Sequence, residues 1–450
     1  MKRISKWLVF LLLCGLIFRI VILSWSLQFR ENTDVLRWRD WGRISYLHGL
    51  ADTYKADHLT FGTLPNNMPP GTLYIVTGMY NVNLQVSKAI LKLTGAKEGS
   101  INWVNVEMLN LFLRLPSIMA DLAIGYLIYL IIKRDALEKF ALLGSFLYLF
   151  NPVVLYNSAF WGQMDSLNNL MFFLALFFLF NKKYFIAILF VFLSLFIKFS
   201  LLAFLPIFLY LLFVSRALQP KKLVLFTTLS LIIIFILMIP ISQRNIFWVI
   251  DYLKNNSLGE MQQITNYAFN FWWLVFHPTV VFENSNSLFS FSEIRLINSP
   301  LDISRYLFIP LQIWAIGLFL LFCVPIIKKL NTLKEKILHP QNLMLIFCLL
   351  SVISFLFLPR MHERYLYPLF PFLAVVVGLS GKYLKTFILF SVLNFVNLYI
   401  VWHPMKLWFL PYEFISNSNI QWLISFAIMA IGSVFYYKII KLGFINEKRK

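Results

Sequence analysis

A chain of 450 residues with 60% hydrophobic and 13% charged side chains, and a mean hydropathy of +0.74, is too apolar for a water-soluble domain. Its net charge of +20 comes without a soluble basic domain, which excludes nucleic acid as a partner and leaves orientation in a membrane as the use of that charge. The three cysteines, Cys14, Cys323 and Cys348, sit inside apolar runs with no paired spacing, which argues against a disulfide framework and a zinc set.

The amino terminus, Met1 to Lys6 followed by an apolar run to Ser26, mimics a signal peptide but lacks a small-residue cleavage site, so it reads as a retained first helix. The later runs are continuously apolar rather than alternating, which points to helices and away from the strands of a membrane barrel. The expected fold is an all-α polytopic membrane protein with about twelve transmembrane helices. They fall near 7–28, 109–132, 139–157, 167–180, 184–197, 199–214, 223–241, 306–327, 342–358, 364–380, 383–402 and 420–440. A large first outer loop, 29–108, contains an amphipathic stretch after Pro69-Pro70, with Lys88 and Lys92, that predicts helices lying at the interface.

Residues 184–214 are read as two short helices broken near Lys198-Phe199-Ser200 rather than one long tilted helix. That break puts Lys133-Arg134, Lys182-Lys183, 216–222, 328–336, 382–385 and the tail from Lys438 on one face, which the positive-inside rule makes cytoplasmic, together with both termini. A second outer loop, 242–305, carries Trp248, Phe269, Phe271, Trp272 and Trp273 and suits the headgroup zone. A boundary near Pro240 separates an amino-terminal module, 1–241, with seven spans and the first outer loop, from a carboxy-terminal module, 242–450, with five spans. The compact chain carries no retention signal, so a prokaryotic plasma membrane is expected.

On this threading nearly every polar cluster able to do chemistry lies on the outer face, where Arg outnumbers Lys and suits an anionic substrate. Just outside the first helix, Asp34 and Asp40 flank Arg37, Trp38 and Arg39, with Trp41 next. This loop sets either carboxylate as a general base beside a phosphate clamp, although the same residues suit a solvated loop with Trp anchors. In the second helix Arg114 and Asp121 share a face, and a buried Asp costs about 2.5–3.5 kcal/mol unless paired. Arg19, at a similar depth in the first helix, is its expected structural partner, with a proton relay as the alternative role.

Trp161-Gly162-Gln163-Met164-Asp165 combines an apolar stacking face with groups that bond hydroxyls, as sugar sites do, and also suits a tight interhelical turn. Lys198 is a lone cation that binds a phosphate or snorkels. Arg360, His362 and Arg364 crowd a short outer loop and suit a lipid-linked phosphate, with Glu363 in a local ion pair as the structural alternative. His-Glu here lacks the second His of a zinc helix, so no metal is expected.

Together these segments resemble the GT-C superfamily of integral-membrane glycosyltransferases that use polyprenyl-phosphate sugars. Asp34 with Trp41 is similar to the acidic residue and Trp of that family's first outer loop, and Met68-Pro69-Pro70-Gly71 resembles its Tyr-Pro-Pro segment, with Met in place of Tyr. The run from Arg114 to Asp121 resembles an Arg-Leu-Pro-Ser and Ala-Asp pattern of bacterial members, and Trp161 to Asp165 their Trp-Gly-Gln-x-Asp segment. His362-Glu363-Arg364 is similar to their late His-Glu-Lys/Arg motif.

The resemblance implies an inverting hexosyl transfer, of mannose or glucose class, to a hydroxyl of a glycan, lipid-linked or protein acceptor. Asp34 would be the base and Asp40 its alternative. Arg360, His362, Arg364 and Lys198 would meet the donor phosphate, and Trp161, Gln163, Asp165 and Trp41 the sugar or acceptor. Arg19, Arg114, Asp121 and Glu363 would be structural. No cofactor or divalent metal is expected beyond the polyprenyl-phosphate donor, with membrane lipids as the surroundings. The alternatives are a flippase for a lipid-linked glycan, and an oligosaccharide ligase or polymerase with a diphosphate-linked donor.

Overall fold

A computed structural model of the protein describes residues 5–29, 33–56, 59–95, 101–242, 264–276, 309–404 and 409–445, with single positions at 245, 247–248, 252, 305–306 and 406–407; the side chains of 101–106 and 305–306 are excepted. Asn32 ahead of Asp34, most of the aromatic-rich loop 242–305 and the end of the basic tail lie outside the described residues. Each of the twelve expected stretches carries a helix. Among the described residues, seven helices are long and apolar enough to cross a membrane, or eight if the pair Glu138–Leu149 and Pro152–Trp161, bent by 46°, counts as one. The protein is an all-α, multi-pass membrane protein.

The remaining apolar helices, Asp165–Phe180, Tyr184–Ile197, Phe204–Val214 and Leu369–Ser380, are shorter. At 1.5 Å per residue an 11-residue helix such as Phe204–Val214 reaches roughly half of a ~30 Å hydrocarbon layer. Exposed apolar side chains crowd α1 (Lys6–Ser26), with Trp7, Phe10, Ile17 and Val21, and the Pro220–Met238 helix, with Val224, Leu225, Ile232 and Ile236. Such continuous apolar faces require lipid as their solvent.

The chain forms two compact units whose segments alternate along the sequence: 1–127, 155–202 and 224–260 in the first, 128–154, 203–223 and 261–450 in the second. The position expected as a boundary, near Pro240, lies within the last segment of the first unit.

In the first unit, α2 (Thr33–His48) is a helix where the sequence reading had a charged loop. Its cause is visible in hindsight: Val35, Trp38, Trp41 and Ile44 recur every three residues and are all buried, so one stripe faces the core while Arg37, Asp40 and Arg43 lie outside it. The stripe packs on α3 (Pro70–Thr94), which has Pro70 at its first position, where the missing N–H costs nothing. The long α4 (Ile101–Asp135) enters the same core through Leu109, Leu113 and Ala120. A wide π turn, Tyr156–Trp161, then leads into α5 (Asp165–Phe180), which pairs with α6 (Tyr184–Ile197).

The break between the two short helices occurs at Lys198, whose backbone is extended. Thr72 Oγ donates to the Ile197 carbonyl at 2.7 Å, satisfying one of the orphan acceptors that a helix end leaves. Gly71 makes this approach possible, because a Cβ there would lie 2.7 Å from the Phe196 carbonyl oxygen.

The second unit is centred on the Pro340–Phe357 helix, which is buried along its whole length and packs against Leu311–Leu333, Leu369–Ser380 and Ser418–Lys438. A two-residue parallel pairing, Thr265–Asn266 with Met361–His362, ties the loop after that helix to an earlier segment.

Candidate functional site

In the first unit the Trp-Gly-Gln-Met-Asp turn is the meeting point of four elements. Gly162 has φ +86°, a conformation that favours glycine. A Cβ there would also lie 2.8 Å from Arg114 Nε and 3.2 Å from Val35 Cγ2, so the turn closes against α4 and α2 only without a side chain. The Gln163 backbone N–H donates to Asn157 O at 2.8 Å, and Gln163 O accepts from Ser117 Oγ at 2.8 Å. So anchored, Gln163 Nε2 donates to Asp34 Oδ2 at 2.6 Å. Gln163 is fully buried, whereas Asp34, in the first turn of α2, is half-buried.

Two residues on, Asp165 opens α5, where a carboxylate complements the helix dipole. Its Oδ1 accepts from Lys198 Nζ at 2.5 Å and its Oδ2 from Asn157 Nδ2 at 3.3 Å. The structure thus joins two residues to which the sequence reading gave different ligands, Asp165 for sugar and Lys198 for phosphate, in one buried ion pair. Trp161 is buried in the π turn against Tyr156.

The rest of the first unit's candidates support this turn or lie beside it. Arg19 and Asp121 are paired at 3.2 Å with both side chains fully buried, and Ser158 Oγ donates to the same carboxylate oxygen at 2.5 Å. This links α1, α4 and the π turn through one carboxylate. Arg114, also buried, bonds the Asn110 carbonyl at 3.2 Å. Trp41 is buried and its indole N–H donates to Leu64 O at 2.9 Å, which fixes the loop that follows α2. Asp40 is half-buried and hydrogen-bonded to Thr63; burial raises its carboxyl above the ordinary range against the pull of Arg39 and Arg43.

In the second unit, Arg360, His362, Glu363 and Arg364 occupy the loop between Pro340–Phe357 and Leu369–Ser380. Glu363 is buried and binds Arg364 at 2.6 Å, with His362 Nδ1 at 3.7 Å from its other oxygen. Burial alone would raise this carboxyl, but the Arg364 guanidinium and then His362 outweigh it and hold it at about 2. Asn394 Nδ2 donates to the Glu363 carbonyl at 2.8 Å, and Asn266 bonds His362 Nδ1 at 3.2 Å. Arg360, with φ +62°, is half-buried.

Sequence reasoning passed over Ser117, Asn157, Ser158 and Asn169, which bond the turn or its carboxylates. The signal available was a polar pair, Asn157-Ser158, inside an apolar run that then goes wholly buried. Among the described residues no three His, Cys, Asp or Glu side chains gather as a metal set would. No protein-family model matches this chain, and no curated protein matches it.

Proposed function

We propose that the protein is an inverting glycosyltransferase that moves a hexose, of the mannose or glucose class, from a polyprenyl-phosphate sugar to a hydroxyl acceptor on the non-cytoplasmic side of a membrane. The observation that carries this reading is the half-buried Asp34 carboxylate, held at a helix start by an anchored Gln163 amide. A general base needs this combination: reach to a substrate proton and a fixed position. Asp40 is the weaker choice, being hydrogen-bonded to Thr63 and set between Arg39 and Arg43.

The acceptor hydroxyl gives its proton to Asp34 while its oxygen bonds the anomeric carbon from the face opposite the phosphate. The bond from that carbon to the phosphate oxygen breaks, its electron pair leaves with the polyprenyl phosphate, and the configuration inverts. The charge that builds on the leaving phosphate is met by cationic side chains, since electrostatic stabilisation of this kind is usually the largest contribution. The topology that goes with this reading has about twelve crossings, the four short helices completing those of the long ones, with both termini in the cytoplasm of a prokaryote.

The test is sugar transfer from synthetic polyprenyl-monophosphate sugars by purified protein in liposomes. Transfer or donor hydrolysis abolished by Asp34→Asn and retained by Asp40→Asn is expected. A folded wild-type protein that neither turns over nor binds any such donor refutes the reading and favours a lipid-linked glycan transporter.

A further inference from the structure

We infer that Gln163 is the positioning residue of the Asp34 base, holding the carboxylate in place rather than contacting the sugar. The inference rests on the glycosyl-transfer reading above and deepens it. Asp34 stands in the first turn of α2 with part of its side chain exposed, and a carboxylate in such a place samples several rotamers unless something selects one. Gln163 makes that selection, through a bond of 2.6 Å, short for an N–H donor, as bonds to a charged acceptor tend to be.

What makes Gln163 a fixed point is its own anchoring. Its backbone N–H and carbonyl are both committed, to Asn157 and Ser117, and the residue before it is locked between Arg114 and Val35. The bond to Asp34 therefore spans from α2 to a turn braced by α4, and any drift of the helix start is resisted by two other elements. A second observation concerns the other end of the amide. An ionised carboxylate only accepts, so Nε2 must face Asp34, which leaves Oε1 turned away. That oxygen is fully buried and has no hydrogen-bond partner among the described residues. Leaving an acceptor so is unfavourable, and the alternative amide orientation would lose the Asp34 bond. The side chain thus keeps an unfavourable oxygen in order to present its N–H to the carboxylate, a local conflict of the sort that marks functional sites.

Among the described residues, the charged groups beside this turn include Arg114 on α4, whose guanidinium lies against Gly162, and the Asp165–Lys198 pair two residues along. None of them supplies the anchored amide, so their presence does not replace it.

Two readouts test the inference. In the transfer assay, Gln163→Glu and Gln163→Ala should lower kcat about 10²-fold, the size of effect that a misplaced reacting group produces, with KM for donor and acceptor within about threefold of wild type. A raised KM with unchanged kcat would make Gln163 a substrate contact and overturn the inference. Independently of turnover, carbodiimide labelling of Asp34 followed by mass spectrometry should be several-fold faster in Gln163→Ala; a wild-type labelling rate overturns it. Ser117→Ala removes one anchor of Gln163 while sparing its side chain, and should move both readouts in the same direction by less; it carries the test if the Gln163 variants fail to fold. If wild-type protein neither turns over nor binds the donor, the glycosyl-transfer reading falls; if Asp34→Asn keeps the full rate, Asp34 is not the base and the present inference falls while transfer stands. If Asp34→Asn is inactive while the Gln163 variants run and label as wild type, only the present inference falls.

Discussion

The Trp161–Asp165 turn of the first unit and the Arg360–Arg364 loop of the second both gather polar side chains at helix ends, but they are assembled in opposite ways. In the turn, Gln163 meets Asp34 across 129 positions of sequence and Lys198 meets Asp165 across 33. In the loop, the ionic partners of the Glu363 carboxylate are its immediate neighbours, His362 and Arg364. Exposure divides them further, because Asp34 is half-buried and Glu363 is 1% exposed. A carboxylate that keeps a surface can meet a substrate. One that is sealed beside its own guanidinium holds a loop in shape.

The comparison breaks most readily at Asp34. Asp34→Asn should reduce turnover by about 10²- to 10⁴-fold, the usual worth of a general base, while leaving the melting temperature of the detergent-solubilised protein near wild type. Glu363→Ala should do the reverse in kind: breaking a buried ion pair costs up to about 3–5 kcal/mol, read as a lower melting temperature. An Asp34 variant that unfolds, or a Glu363 variant as stable as wild type, would erase the distinction.

Acid sharpens it. Glu363 is held down at about 2 from an ordinary 4.5, so its contribution is fully present above the unfolded-state value and is lost as pH falls from there through the folded one. At 1.36 kcal/mol per unit that amounts to roughly 3 kcal/mol. The stability gap between wild type and Glu363→Gln should therefore narrow when unfolding is followed from pH 6 down to about 2. Gly162→Ala should cost about 1–3 kcal/mol through its left-handed backbone, and lower activity as well, because the added carbon pushes on Arg114 and Val35 beside Asp34. Smallest is Trp41→Phe, which strands the Leu64 carbonyl and should lower stability by about 1 kcal/mol, as a thermal melt would show.

The helices were legible because long apolar runs have few other options in lipid. So was the break at Lys198, which the positive-inside rule favours over one long helix. The Arg19–Asp121 contact followed from the cost of an unpaired acid at depth. Residues 33–48 read as a loop because their charges mask the Val35, Trp38, Trp41 stripe that makes them a helix. The junctions of Gln163 with Asp34 and of Lys198 with Asp165 had no local signal, since nothing in one segment names its distant partner. The π turn was equally hidden: its pattern of apolar residues does not separate a wide turn from an ordinary one.

The Pro340–Phe357 helix, sheltered on all sides, has a consequence for how the chain is made. Leaving the insertion machinery, it is an apolar segment like any other, and its first neighbours include acyl chains. Its final surroundings include Leu369–Ser380 and Ser418–Lys438, which are synthesised after it. Lipid must therefore be exchanged for protein once those segments arrive. From then on, changes in bilayer thickness or tail composition act directly on α1 and Pro220–Met238, which stand largely in lipid, and reach Pro340–Phe357 only through its neighbours.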